Sequence, residues 1–218
     1  MKKHNIILFL SLLLTTFFSS YSQEFEIKEK KVIGIFEIKN KNKSELYSNI
    51  NKWISINYTS SKDVIQMNDK ESGTIIIKGI NKVNYTNKIT TKGVFKSIQE
   101  HLVKVNRFNH LIEINIKDNK FRIIYALLKV NNKDYGWNKI VFDCISLNGI
   151  NEVELEKFNL INDAILKKGM INKKKREKFN SLSKPFLNEM NNTILENIKN
   201  TMNSLKNSIK ITGSKDDW

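Results

Sequence analysis

At 218 residues, 40% of them hydrophobic and 27% charged, the chain has room for one ordinary domain or a small domain with an appendage, and it is too apolar to be disordered. Its formal net charge of +15 keeps nucleic acid, anionic lipid and acidic polysaccharide in view as partners. The excess is lysine, 34 residues against three arginines (Arg107, Arg122 and Arg176), and a single cysteine, Cys144, excludes an intramolecular disulfide.

Residues 1–22 read as a signal peptide. Lys2, Lys3 and His4 form a basic start, Ile6–Leu14 an apolar run, and Ser20 and Ser22 place cleavage before Gln23. The run is shorter than the roughly 20 residues a membrane span needs. Removing Lys2 and Lys3 leaves a net +13 on the expected mature chain, because the whole chain carries +15.

The mature chain reads as organised around Lys62–Gly79, a hairpin of strands Val64–Asn68 and Thr74–Val83 whose polar turn closes on Gly73. Before it come a strand, Val32–Ile38, and a helix, Ser44–Tyr58, with Leu46, Ile50, Trp53 and Ile54 on one stripe and Ser44 or Asn42 as its cap. In the hairpin Ile75 and Ile77 point one way, and Ile76, Lys78, Ile80 and Lys82 the other. Residues 84–109 form an excursion in which Phe95, Ile98, Leu102 and Val105 fit a short amphipathic helix. Strand Leu111–Lys117 alternates cleanly, turns at Asp118-Asn119, and pairs with Phe121–Val130. Asn131–Asn138 is a loop, and Cys144 lies in the apolar Ile140–Leu147 as a buried small residue.

Beyond residue 150 the pattern turns helical. Asn151 with Glu154 has the form of a capping box, Leu155, Phe158, Ile161 and Ile165 form a stripe, and Gly169 stops it. Lys173–Arg176 is a linker or a helix start. A long helix begins near Ser183 with Pro185 in its first turn. Its apolar stripe is Phe186, Met190, Ile194, Ile198, Met202, Leu205 and Ile209, and its asparagines lie mostly opposite. The tail Gly213–Trp218 reads as unstructured.

The order of strand, helix, several antiparallel strands and helix is an α+β architecture. Tyr47 and Trp53, Val64-Ile65-Gln66 followed by Asp69–Gly73, Lys78-Gly79, and Lys117–Arg122 resemble a family of secreted bacterial proteins of unknown function with a TBP-like fold. The resemblance covers roughly residues 32–130, with a weaker likeness of the closing helix and the Asp216-Asp217-Trp218 end. Asn119 and Phe121 stand where the family usually has Gly and Tyr, a departure that leaves the hairpin standing. Residues 84–109 align poorly. The resemblance implies a β-α-β(4)-α core at 23–150, a curved antiparallel sheet covered by helices. Residues 151–218 follow as a helical extension whose long helix packs on the sheet. It implies no mechanism.

The motifs of common chemistry are absent. The chain has no Gly-x-Gly-x-x-Gly, no phosphate-binding loop and no Gly-x-Ser-x-Gly. His101 and His110, the histidines beyond the leader, lie at no zinc-ligand spacing and read as surface or packing residues. Asp69 and Glu71 could pose as paired carboxylates, but they occupy a polar turn that Glu71 and Ser72 would shape. No catalytic residue, metal ligand or cofactor is therefore named. The lysines are spread along the sequence, and Lys, Asn and Ile together are what an AT-rich genome favours. They are expected to scatter over the fold, with Lys78 and Lys82 or Lys173–Arg176 as the places where they would otherwise gather, so an anionic surface would be held weakly. The reading is an exported protein, periplasmic or extracellular and open to outer-membrane association. Its expected role is a non-catalytic module binding an envelope protein or ligand. The alternative is an envelope hydrolase whose residues converge only in three dimensions. Nucleic-acid binding ranks last, because export removes the protein from the genome.

Overall fold

The computed structural model describes residues 25–83, 106–130 and 137–211. Six strands form one antiparallel sheet: β1 (Phe25–Lys28), β2 (Lys31–Glu37), β3 (Ile65–Asp69), β4 (Thr74–Val83), β5 (Asn106–Lys117) and β6 (Lys120–Val130), in the order β1-β2-β6-β5-β4-β3. The helices are α1 (Lys43–Asn57), α2 (Ser61–Val64), α3 (Trp137–Asp143), α4 (Glu152–Lys168) and α5 (Lys173–Ile211).

The hairpin β3–β4 has the expected strands and the positive φ at Gly73, but it does not occupy the centre. β3 is an edge strand, and the long pair β5–β6 forms the middle of the sheet. In the turn, Asp69 does the shaping expected of Glu71 and Ser72: its Oδ1 accepts from the backbone N–H of Glu71 at 2.9 Å and of Ser72 at 3.2 Å. Hydrogen bonds from the Ser72 side chain and backbone hold this carboxyl below its usual range. Glu71 contributes through its backbone, its carbonyl accepting from the Lys43 ammonium. Residues 60–64 form a helical turn rather than a loop running into a strand, so β3 starts at Ile65.

β1 was not expected. It pairs with β2 through the turn at Glu29-Lys30 and sets Phe25 edge-on to Phe36 at 5.9 Å. β5 begins at Asn106, five residues before the expected Leu111, so residues 106–109 belong to the sheet and not to the excursion. The rest of that excursion, residues 84–105 with its proposed helix and His101, lies outside the described residues, as does the tail from 212.

All the described helices lie on one side of the sheet. Alternation puts Val32, Phe36, Phe121, Ile123, Tyr125, Ile112, Ile114, Ile75 and Ile77 on that side, each at most 2% exposed. α1 carries its expected stripe inward, with Leu46, Ile50, Trp53 and Ile54 all buried. Asn42 is its cap, in a reciprocal capping box with Glu45. α5 is 39 residues long and starts at Lys173, so the basic run is its first turn and Pro185 lies well inside the helix, not at its start. There Pro185 removes one backbone hydrogen bond, at a cost of roughly 3 kcal/mol. The long apolar face offsets this: Phe186, Met190, Ile194, Ile198, Met202, Leu205 and Ile209 are at most 1% exposed, each contributing roughly 1.5–3 kcal/mol by burial. Gly34 on β2 shows how closely α5 approaches, since a Cβ there would lie 2.9 Å from the Met202 methyl.

α3 takes in Trp137 and Asn138, which the sequence placed in a loop, and packs Phe142 on Phe108 at 5.6 Å. Cys144 follows it, buried as expected. Burial, together with Glu154 and Asp143 nearby, pushes its thiol up to about 11, and its S–H points to the Glu154 carbonyl at 3.6 Å. In α4 the cap is Asn151, accepting from the N–H groups of Val153 and Glu154. The stripe departs from expectation. Ile165 is 49% exposed, and Asn162 is buried in the stripe, satisfied by donating to the Phe158 carbonyl at 2.6 Å. Arg176 crosses to Asp163 at 2.7 Å and joins α5 to α4. No helix among the described residues is long and apolar enough to cross a membrane.

Candidate binding site

Two surfaces stand out, an uncovered sheet face and a cleft beneath α5. The uncovered face carries the other strand parity. Ile35, Ile80 and Met67 are 58%, 50% and 42% exposed there. The basic residues Lys28, Lys31, Lys78, Lys82, Arg107, Lys117, Lys120 and Arg122 share this parity and outnumber the acids Glu26, Glu37, Asp69 and Glu113. The expected scatter of lysines therefore does not hold on the sheet. Arg122 is the best fixed, donating from Nε and Nη2 to Asn115 Oδ1 at 3.1 and 2.7 Å.

The cleft arises from an irregularity in the inner face. Along β4 the inward positions run Ile75, Ile77, Gly79, Asn81 and Val83, so two of the five are not hydrophobic. Gly79 lies opposite His110 of β5, and a Cβ on it would come within 2.8 Å of the imidazole. The missing side chain lets the His110 ring lie flat in the inner layer. There it stacks on Tyr125 of β6 at 4.9 Å and 27°. A bulge in the β5–β6 register, between Asn109 and His110, coincides with this placement. Asn81 donates from Nδ2 to the Tyr125 hydroxyl at 3.0 Å. At the C-terminal end of α1, the Tyr58 hydroxyl meets His110 Nε2 at 3.3 Å, and Trp53 donates from Nε1 to Ser204 Oγ of α5 at 3.2 Å.

These groups line a cavity of about 360 Å³ whose outer wall is α5, through Asn197, Asn200, Thr201 and Ser204. A wider groove of about 870 Å³ adjoins it along the same helix, sharing Asn197 and Asn200. That groove is lined by Lys82, Glu189 and Glu196 and has no aromatic wall, so the convergence of titratable and aromatic groups belongs to the smaller cavity.

The electrostatics of the cleft are set by burial. His110 is 4% exposed, and desolvation lowers its imidazole from 6.5 to about 4. Its Nδ1 finds no partner among the described residues, so an imidazolium would bury an unanswered N–H. Desolvation pushes Tyr58 up to about 12 and Tyr125 higher still. Among the described residues no lysine, arginine, aspartate or glutamate lines the cavity. At neutral pH the described lining groups are uncharged.

His110 is thus a packing residue as the sequence indicated, but with partners that sequence reasoning missed. His101 lies outside the described residues. Asp69 and Glu71 do not reach the cleft. Among the described residues no group of three or more His, Cys, Asp or Glu could hold a metal ion.

Comparison with curated proteins gives no match. Two solved structures resemble the chain. The crystal structure of a TBP-like protein from Parabacteroides distasonis ATCC 8503 is 14% identical with a TM-score of 0.45, over 83% of this chain and 92% of that one. A DUF4468 family protein from Bacteroides ovatus ATCC 8483 is 14% identical with a TM-score of 0.35, over 67% of this chain and 88% of that one. Residues 34–130, which run from β2 through β6, match the family model described as a domain of unknown function (DUF4468) with TBP-like fold.

Proposed function

We propose that the chain is an exported, non-catalytic module of the cell envelope that binds a small ligand in the cleft beneath α5. The basic start, apolar run and Ser22 site support export. One observation carries the binding reading: where titratable groups converge, burial holds each of them neutral and far from working pH. General acid–base catalysis wants a group whose pKa lies near the operating pH. His110 near 4 is too weak a base, and Tyr58 near 12 too weak an acid, to exchange a proton at pH 7. Among the described residues no carboxylate or thiol lines the cavity. Such a site can hold and orient a ligand without transforming it.

Mass spectrometry of the protein recovered from its host's envelope fraction tests both parts. Under denaturing conditions the mass should start at Gln23. Under native conditions it should carry an added small-molecule mass that is lost in Asn200→Trp, a variant that fills the cleft mouth from an exposed helix position. A retained Met1 would sink the export reading, and a native mass free of any adduct would sink the binding one. Turnover of a model ester, peptide or glycoside that is abolished in His110→Gln would instead establish the hydrolase alternative.

A further inference from the structure

The cleft is uncharged in a chain where charge is hard to avoid. More than a quarter of the residues are ionised at neutral pH, yet the cavity wall is built of side-chain amides, hydroxyls and aromatic rings. Lys82, Glu189 and Glu196 stand immediately alongside, in the groove that begins beyond Asn197 and Asn200. An anionic ligand would find no cation to answer it in the cleft, and a cationic one no carboxylate. Leaving either charge buried and unpaired is unfavourable.

The groups that are present suit a different chemistry. Asn197 and Asn200 make no side-chain hydrogen bond among the described residues, so each amide presents both a donor and an acceptor from α5. That pairing matches adjacent hydroxyl groups, each of which also donates and accepts. Ser204 Oγ already accepts from Trp53 Nε1 and keeps its own proton to give. Tyr58, half-buried at the end of α1, offers a ring whose face or edge can pack on C–H groups. A volume of about 360 Å³ falls at the small end of ligand cavities, and the adjoining groove gives a longer molecule somewhere to continue.

We infer that the cleft takes an uncharged, hydroxyl-rich ligand, by chemical class a neutral saccharide, held between the α5 amides and the Tyr58–Trp53 wall. This rests on the reading that the cleft binds a ligand. Charge selects against uronic acids and sugar phosphates, and the α5 amides select for vicinal hydroxyls.

The test is calorimetric titration of the full mature chain with four probes: a neutral hexose oligomer, an N-acetylated hexosamine oligomer, a uronic acid oligomer and a hexose phosphate. At least one neutral oligomer should bind, and both charged probes should bind at least about tenfold more weakly. The double variant Asn200→Ala with Thr201→Val should weaken the neutral probe about tenfold, the equivalent of one to two hydrogen bonds. Its melting temperature should not change, because Asn200 is exposed and the Thr201 hydroxyl bonds only back to the Asn197 carbonyl. Equal or tighter binding of a charged probe would overturn the inference, and so would neutral binding that ignores the double variant. Failure of both neutral oligomers would overturn it too. If the native adduct sensitive to Asn200→Trp is still seen, only the ligand class is wrong. If no adduct is seen either, the binding reading falls with it.

Discussion

Acid should destabilise this protein in part through one side chain, His110. Its imidazole titrates near 4 in the folded chain and near 6.5 when exposed, because burial disfavours the charged form and Nδ1 has no acceptor waiting. Between those values the unfolded chain binds a proton that the folded chain refuses, so stability falls as pH drops through this window. Integrating the two titrations gives a loss of about 2 kcal/mol by pH 5 and about 3 kcal/mol by pH 4, relative to pH 7. Below about pH 4 both states are protonated and this contribution levels off. The perturbation that isolates it is His110→Phe, which keeps a flat ring on Tyr125 and beside Gly79 while removing the titration. Urea unfolding of both proteins at pH 7, 6, 5 and 4 provides the measurement. Carboxylates and His101 titrate in both and cancel in the difference. The gap between the two stabilities should move by about 3 kcal/mol in favour of the variant from pH 7 to pH 4. If the two curves run parallel, His110 is not desolvated, and the account of a neutral, unpoised cleft fails with it.

Two further substitutions probe the frame around the site. Trp53→Ala removes a 5% exposed indole and its hydrogen bond to Ser204 and should lower stability by about 3–5 kcal/mol; an unchanged denaturant midpoint would show that the residue faces solvent. Gly73→Ala forces a φ of +74° on an alanine and brings its Cβ to 2.6 Å from the Ile116 carbonyl, so the midpoint should fall by at least about 1–2 kcal/mol; a neutral result would mean that the β3–β4 turn relaxes freely.

How far the fold can be read from the residues follows from how local each signal is. The stripe of the long helix is legible because about seven turns repeat one spacing, and an error at one position is corrected by the next. The α4 stripe runs over fewer turns, and there Ile161 and Ile165 outvoted Asn162, whose buried amide answers itself within the helix. β1 has only four residues and starts beside the expected cleavage site, where the leader's own pattern dominates. The β3–β4 hairpin looked central because its turn chemistry is strong, yet turn strength says nothing about where in a sheet a hairpin docks. The cleft depends on register. Tyr58 and His110 are 52 positions apart, and Asn81 and Tyr125 are 44 apart, so no motif joins them. A signal was nevertheless present in β4: Gly79 and Asn81 occupy inward positions in an otherwise apolar alternation. A glycine inside a strand commonly marks the close approach of another group.

Register also decides what the positive charge means. A sheet covered on one side sends most polar strand residues to the other side, because successive side chains alternate. In a chain with 34 lysines, the uncovered face must then collect them whether or not any partner exists. Lys78, Lys82, Lys117 and Lys120 gather for that reason, which a reading of the linear sequence as scattered charge does not foresee. Their gathering carries no information about a polyanion, since composition and topology already require it. The cleft argues in the opposite direction. Composition would place charge along its rim, topology opens it to α5, and still Asn197, Asn200, Thr201 and Ser204 stand there. Among the described residues this uncharged wall, with the Trp53, Tyr58 and His110 rings behind it, is the feature on which the ligand proposal rests.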